Sequence, residues 1–347
     1  MDFLSRETAV AEKANLHSVA AHAGVSIATV SKVVNGIHLG MSQATLERVQ
    51  ASINELGYRP NRTGRGLRTL RRFMIGLAVV DPSPTFLTDP FTTNLVAGLS
   101  NYLSEQDFGL LLHGIKPRQV EQSFLVRENV VDAFCLMLSG SANSRRTNTA
   151  MFAGLNHPLV VFQCKPDETL QDICYINQDD RGGALELAKH ILLREPANAL
   201  IVIPDIFWPA IEKRVEAFWE VLRGAGVATK VLRCDEHSAD HIGHSISQHI
   251  GRHGLPDVIL GGNDKIAVAA LQMLDSRGVS VPDQVAVSGF NAFEQHRHAG
   301  GNLTSASSPA YEMGVLGGKL LLKRLQSTAF EKNEYTLPVK IIPGATA

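Results

Sequence analysis

The sequence runs to 347 residues, 44% hydrophobic and 19% charged, enough apolar material for two or three ordinary globular domains. No stretch approaches the roughly 18 apolar residues of a membrane span, and a start carrying Asp2, Glu7 and Glu12 without an apolar run excludes a secretory signal, so a cytoplasmic chain is expected. The formal net charge of −1 conceals an asymmetry: residues 1–75 hold ten Lys or Arg against five acids, leaving 23 basic and 29 acidic residues to the rest, a basic head on an acidic body.

Residues 1–14 read as a flexible arm. Asn15 can cap a first helix, with Leu16, Val19, Ala20 and Ala23 at helical spacing. Gly24 supplies the turn, Val25 plugs the angle, and Ser26 caps a second helix from Ile27 to Asn35, whose Val30 and Val34 face the first. Small side chains at Ala20 and Ala23 let the two helices approach closely. This is helix-turn-helix geometry, in which the second helix enters the major groove of DNA. After a turn over Gly36–Met41, Ser42 caps a third helix, Gln43 to Leu56, with Leu46, Val49, Ile53 and Leu56 as its apolar stripe and Gly57 at its end. The following YRPNRTGRGLRTLRR carries arginines at 59, 62, 65, 68, 71 and 72 and no acid.

Beyond Arg72, short apolar runs alternate with amphipathic segments. FMIGLAVV, FGLLLHG, AFCLML, LVVFQC, ALIVIP, KVLRC, VILGG and VAVSGF are expected strands; TNLVAGLSNYLSEQ, RGGALELAKHILLRE and DKIAVAALQMLDSRG are expected helices. Such alternation implies an α/β body with parallel sheets covered on both faces. Cys135, Cys164, Cys174 and Cys234 form no Cys-x-x-Cys pair and read as reduced core thiols. Cys234, His237, His241, His244, His249 and His253 crowd one span, but Ile242, Ile246 and Ile250 mark the buried face of a helix there, which puts those of its histidines on flanking or exposed positions. No metal site is expected. Nor does a Ser-His-Asp or paired-carboxylate set stand out, and Gly261-Gly262 is too short for a phosphate loop, so neither an enzyme nor a cofactor is expected.

VAAHAGVSIATVSKVVN resembles, without a gap, the DNA-binding headpiece of the lactose-repressor (LacI/GalR) family, whose pattern is V-A-x-x-A-G-V-S-x-x-T-V-S-[RK]-x-[LV]-N. The resemblance implies base reading by Ile27, Ala28 and Lys32. It implies phosphate contact for Thr29, Ser31, Asn35, Tyr58 and Asn61, and it adds Ser26 and Arg62 to the DNA-binding residues. Lys32 can donate to guanine, whereas Ile27 and Ala28 offer only apolar contact, for instance to a thymine methyl. The arginine-rich stretch is similar to the family's hinge, which folds on DNA and pushes a leucine, here Leu67, into the minor groove. Gly64 and Gly66 depart from that pattern, each costing a hinge helix roughly 1 kcal/mol relative to alanine.

The body is similar to the family's effector domain, which has the two-lobed periplasmic-binding-protein fold. IGLAVVDP, DPFTTNLVAGL, VVDAFCL, INQDDRGGALELAKHIL, KRVEAFWEVL, GGNDKIAVAAL and VAVSGFNA carry that likeness, with SPTFLTD as an extra loop. Carried over position by position, the effector residues are Phe91, Thr92, Trp208, Arg214, Asn263, Asp264 and Asn291. Arg214 offers a bidentate fork, Asn263 and Asp264 suit neighbouring hydroxyls, and an aromatic face suits a sugar ring. Asn291 stands where the family has a carboxylate, which favours an acidic or differently hydroxylated ligand over an ordinary neutral sugar.

The expected organisation is therefore an arm over 1–14, a headpiece over 15–58, a hinge over 59–72 and an effector-binding and dimerisation domain over 73–347. Within the last, lobe 1 spans about 73–176 and 304–332, and lobe 2 about 177–303 and 333–347. The expected function is a ligand-responsive transcription regulator, most simply a repressor of a catabolic or transport operon. Its expected partners are a small sugar-like or sugar-acid-like effector, a second copy of the chain and a near-palindromic double-stranded operator. The absence of a heptad tail after TLPVKIIPGATA suggests a dimer and not a tail-built tetramer. The alternative within the family is a corepressor-dependent repressor or an activator, since the sequence does not decide the sign of the response. A transport solute-binding protein would share the body but lack the helix-turn-helix, and an enzyme would need chemistry that no residue set provides.

Overall fold

The computed structural model describes residues 14–59, 71–293 and 303–347, and the chain divides between Arg72 and Phe73 into two compact units. Among the described residues the first holds three helices: α1 (Leu16–Ala23), α2 (Ile27–Val34) and α3 (Gln43–Glu55). The Asn15 side chain accepts the amides of His17 and Ser18, and the Asn15 amide donates to the Ser18 hydroxyl oxygen, a reciprocal cap. Gly24, at φ +62°, closes α1 in the left-handed region that a side chain would disfavour. Val19, Ala20, Ala23, Val30, Val33, Val49 and Tyr58 form the buried centre. Val33 and not Val34 is the buried valine at the end of α2; Val34 packs against the same cluster from its edge.

The second unit is built on two parallel sheets. The first contains β1 (Met74–Val80), β2 (Gly109–Ile115), β3 (Ala133–Leu138), β4 (Leu159–Phe162), β5 (Ile173–Gln178) and β11 (Glu334–Leu337) in the order β11-β5-β4-β3-β1-β2. The second contains β6 (Asn198–Pro204), β7 (Ala228–Cys234), β8 (Val258–Gly261) and β9 (Ala286–Ser288) in the order β7-β6-β8-β9. A two-stranded antiparallel ribbon, β10 (Ser305–Ser307) with β12 (Lys340–Ile342), completes the strands among the described residues. The eight apolar runs expected as strands all form. Three of the four additional strands, β10, β11 and β12, are short, with polar or half-exposed residues that give no apolar run.

Each sheet is buried on both faces, as parallel sheets require. Along β1 the side chains alternate: Ile75, Leu77 and Val79 join one core cluster, Ala78 and Val80 another. The first of these clusters is sealed by α4 (Pro90–Glu105) and α11 (Ala310–Arg324) through Leu95, Leu99, Met313 and Leu321. The two helices touch at Gly98 and Gly314, where a Cβ on either would overlap the other helix's backbone. Among the described residues the other α-helices of the unit are α5 (Phe124–Arg127), α6 (Ala142–Ala153), α7 (Asp180–Leu192), α8 (Pro209–Gly224), α9 (Ala239–His253) and α10 (Asp264–Asp275).

The late chain changes sheet at different places from those expected. Bridges tie Thr304 to Ser288 and Ser307 to Asn291, so residues 304–307 run with the second lobe and not the first. Glu334–Leu337 then pair with Tyr175–Gln178, so β11 belongs to the first lobe's sheet and not the second. The strand ends already present set these registers, which the short polar sequences alone do not announce. Among the described residues no helix is long and apolar enough to cross a membrane.

Candidate functional site

In the first unit, the buried face of α2 leaves Ile27, Ala28 and Lys32 exposed, with Ile27 at 40% exposure. Ser26 caps the helix by accepting the Thr29 amide at 3.1 Å, and its hydroxyl meets that of Thr29 at 2.9 Å. Asn35 closes the other end, its amide nitrogen donating to the Ser31 carbonyl at 2.6 Å. Ser31 and Thr29 are half-buried beside the exposed set. The surface so presented is one helix face with a single cation and several short polar groups, of a size to enter a major groove. Tyr58 lies at 8% exposure in the core, and burial pushes its hydroxyl above the ordinary tyrosine range. Asn61, Arg62 and Leu67, with Gly64 and Gly66, lie outside the described residues.

In the second unit, Arg214 of α8 is 3% exposed and nearly saturated. Its Nε donates to Asp180 Oδ1 at 2.8 Å, Nη2 lies 2.7 Å from the same oxygen, and Nη2 also donates to Asn291 Oδ1 at 3.2 Å. Nη1 donates to the Gly262 carbonyl at 2.7 Å, while the guanidinium stands 3.8 Å over the Phe290 ring. Asp180, at 1% exposure, accepts Gln178 Nε2 at 2.6 Å and Gln163 Nε2 at 3.1 Å. Gln178 Oε1 in turn accepts the Ser308 hydroxyl at 2.6 Å, and the Asp179 amide donates to the Leu337 carbonyl at 2.8 Å. The three segments by which the chain passes between the sheets, near 178–180, 308 and 337, are thereby tied together around one buried ion pair. Such a pair persists only because nearly every lone pair and proton has a partner.

The other expected positions lie along the carboxyl ends of the strands. Thr92 is buried near the start of α4, its hydroxyl donating to the capping Asp89 at 2.8 Å, and Phe91 packs against the first-lobe core. Trp208 precedes α8 and packs on the second-lobe core. Asn263 caps α10 by accepting the Ile266 amide and donates its Nδ2 to Glu236 Oε2 at 2.8 Å. Asp264 accepts the Ser305 hydroxyl at 2.6 Å; burial pushes its carboxyl up to about 6 against the opposing pull of Ser305 and Arg214. Burial also raises the Glu236 carboxyl, and Asp89 of the opposite lobe adds to the rise. Asn291 holds φ at +111°, unusual for a residue with a side chain, and its backbone is fixed by Ala306 and Ser308.

Along α9 the inward residues are Ile242 and Ile246, and the histidines turn to one another or to neighbours: His241 to Ser238, His244 to Gln248, His249 to His253 at 4.5 Å between rings. Among the described residues no three His, Cys, Asp or Glu side chains gather as metal ligands. All four cysteines are free and buried, and burial pushes the Cys234 thiol up to about 12.

Residues 15–61, which span α1 to α3, match the model of the lacI family of bacterial regulatory proteins, and residues 199–347 match the periplasmic binding protein-like domain. The chain belongs to the lacI family. Over 339 residues this lacI-family chain is 29% identical to the HTH-type transcriptional regulator CelR of Thermobifida fusca, covering 94% of each chain. It is 26% identical over 336 residues to a ribose operon repressor of Halalkalibacterium halodurans, covering 95% of this chain and 96% of that one. Among solved structures, a CelR–cellobiose complex superposes with a TM-score of 0.69 at 26% identity, over 96% of this chain and all of the other. A lac repressor dimer bound to operator and the anti-inducer ONPF gives a TM-score of 0.81 at 22% identity, over 96% and 99% of the two chains, and shows the shared fold.

In this lacI-family chain, sequence reasoning passed over Asp180, which pairs with Arg214, and Gln163, which holds Asp180. Asp180 stands inside the quoted INQDDRGG, and Gln163 ends the strand run LVVFQC; a polar residue closing a buried apolar run was the available signal for Gln163. Asp89 and Glu236 were likewise missed, since a capping acid and a loop acid carry no periodicity.

Proposed function

We propose that this lacI-family protein is a ligand-responsive, DNA-binding transcription regulator, a repressor of a catabolic or transport operon, working as a cytoplasmic homodimer on a near-palindromic operator. The observation that carries the reading is the exposed face of α2, with Ile27, Ala28 and Lys32 outward on a capped helix-turn-helix. In this reading Ser26, Thr29, Ser31, Asn35, Tyr58, Asn61 and Arg62 contact phosphate, and Leu67 enters the minor groove.

The effector lodges between the lobes, against Phe91, Thr92, Trp208, Asn263, Asp264 and Asn291, with Arg214 behind them as the fixed centre of the network joining the crossing segments. A ligand that prefers one lobe arrangement shifts the equilibrium between arrangements, and operator affinity changes by that difference in affinity. The relatives named for cellobiose and ribose support a sugar-like effector. No reaction is assigned to the inter-lobe face. The reading is tested by selecting genomic fragments on the purified protein, with footprinting of those recovered. A short near-palindrome protected on both halves is expected.

A further inference from the structure

Two half-buried cations, one from each lobe, act on the same buried thiol, and among the described residues neither has a carboxylate partner. Arg145, half-buried on α6, donates to the Gly140 carbonyl just past β3. The Gly140 amide donates at 3.0 Å to the carbonyl of Phe207, across the lobes and two residues before α8 begins. Lys213 stands half-buried in the second turn of α8, next to Arg214. Both cations act on the buried Cys164 thiol at the end of β4, which burial pushes up to about 11 while Arg145 and Lys213 pull it down. Arg146, Arg181, Arg214, Arg233 and Arg324 all have carboxylate partners, whereas among the described residues neither Arg145 nor Lys213 does. Partly desolvated cations left unpaired are costly, and an incoming anion relieves that cost.

Other groups read as lining the inter-lobe face fit the same chemistry. Asn291 Oδ1 already accepts from Arg214, and among the described residues its two N–H donors have no partner, so they suit a ligand that can accept. The acids of this face gather elsewhere: Glu236 interacts with Asp89 and Asp205, and Asp81 with Asp89. There they can accept from hydroxyl groups. We propose that the effector is a hydroxylated anion, a sugar acid or a sugar phosphate, whose charged group sits between Arg145 of the first lobe and Lys213 of the second. The assignment rests on reading the inter-lobe face as the effector site.

The test uses the full-length protein, its thermal unfolding followed in inorganic phosphate, gluconate or glucose 6-phosphate against chloride at matched ionic strength. Wild type is compared with Lys213→Gln, Arg145→Gln and, as a control, Arg181→Gln, which lies in an exposed pair with Glu220. Phosphate should raise the midpoint of wild type and of Arg181→Gln. Half-maximal stabilisation should need at least tenfold more phosphate in Lys213→Gln and in Arg145→Gln. A lower effective concentration for gluconate than for glucose 6-phosphate would identify a carboxylate ligand, and the reverse order a phosphate ester. Equal phosphate responses in all four proteins would overturn the proposal, as would stabilisation by an amine such as glucosamine in preference to the anions. Recovery of a preferred DNA site without any probe tests the regulator reading separately, so the two failures are distinguishable.

Discussion

Arg214 Nε donates to Asp180 Oδ1 at 2.8 Å where both side chains are almost wholly out of solvent, at 3% and 1% exposure. The pair joins the start of α7 to α8, and its surrounding amides reach the end of β4, the end of β5 and the segment after β10. Asp180→Ala should leave the guanidinium buried with its strongest partner gone and destabilise the second unit by about 3–5 kcal/mol. Urea unfolding measures this; a loss below about 1 kcal/mol would mean that the pair is solvated.

Arg214→Ala should abolish the ligand-induced change in operator affinity while leaving specific DNA binding in place, because the crossing segments lose their common anchor. A gel-shift titration with and without effector reads both quantities. An unchanged ligand response would show that the network does not couple the lobes.

Lys32→Ala should do the opposite. Lys32 is the one exposed cation on the outward face of α2, so specific DNA binding should fall by about 1–3 kcal/mol or more. Thermal stabilisation by effector should persist. Loss of both would mean that the two units had been misread.

Much of this was legible in the sequence, and the exceptions have physical causes. The helix-turn-helix could be read because caps and spacing are local: Asn15, Gly24 and Ser26 act within a few residues of themselves. The eight apolar runs declared their strands for the same reason. Asp180, Gln163 and Gln178 could not be read as one site, since they meet only when β4 and β5 lie side by side and α7 follows. Arg214 was found as a candidate ligand contact, but its near-saturation by Asp180, Gly262 and Asn291 is a property of the fold alone.

Asp264 gives a pH signature. Its carboxyl rises from an ordinary 3.8 to about 6 in the folded chain, so folding favours its protonated form. Its contribution is therefore fully present below about pH 4 and is lost as pH climbs through about 6, a fall of about 3 kcal/mol in unfolding free energy. Asp264→Asn should remove that fall. Parallel pH–stability curves for the two proteins would contradict the burial argument.

Gly314→Ala tests the packing of α4 on α11, because the added methyl group would meet the Leu95 backbone. A destabilisation of about 1–3 kcal/mol is expected in thermal unfolding, with the headpiece's DNA contacts unaffected.

The most direct measurement is selection of genomic DNA by the purified full-length protein, with and without a metabolite pool, followed by footprinting. A short near-palindrome with a flexible pyrimidine–purine step at its centre is expected, with an occupancy that changes when the pool is added. Recovery of no preferred sequence under either condition would contradict the regulator reading.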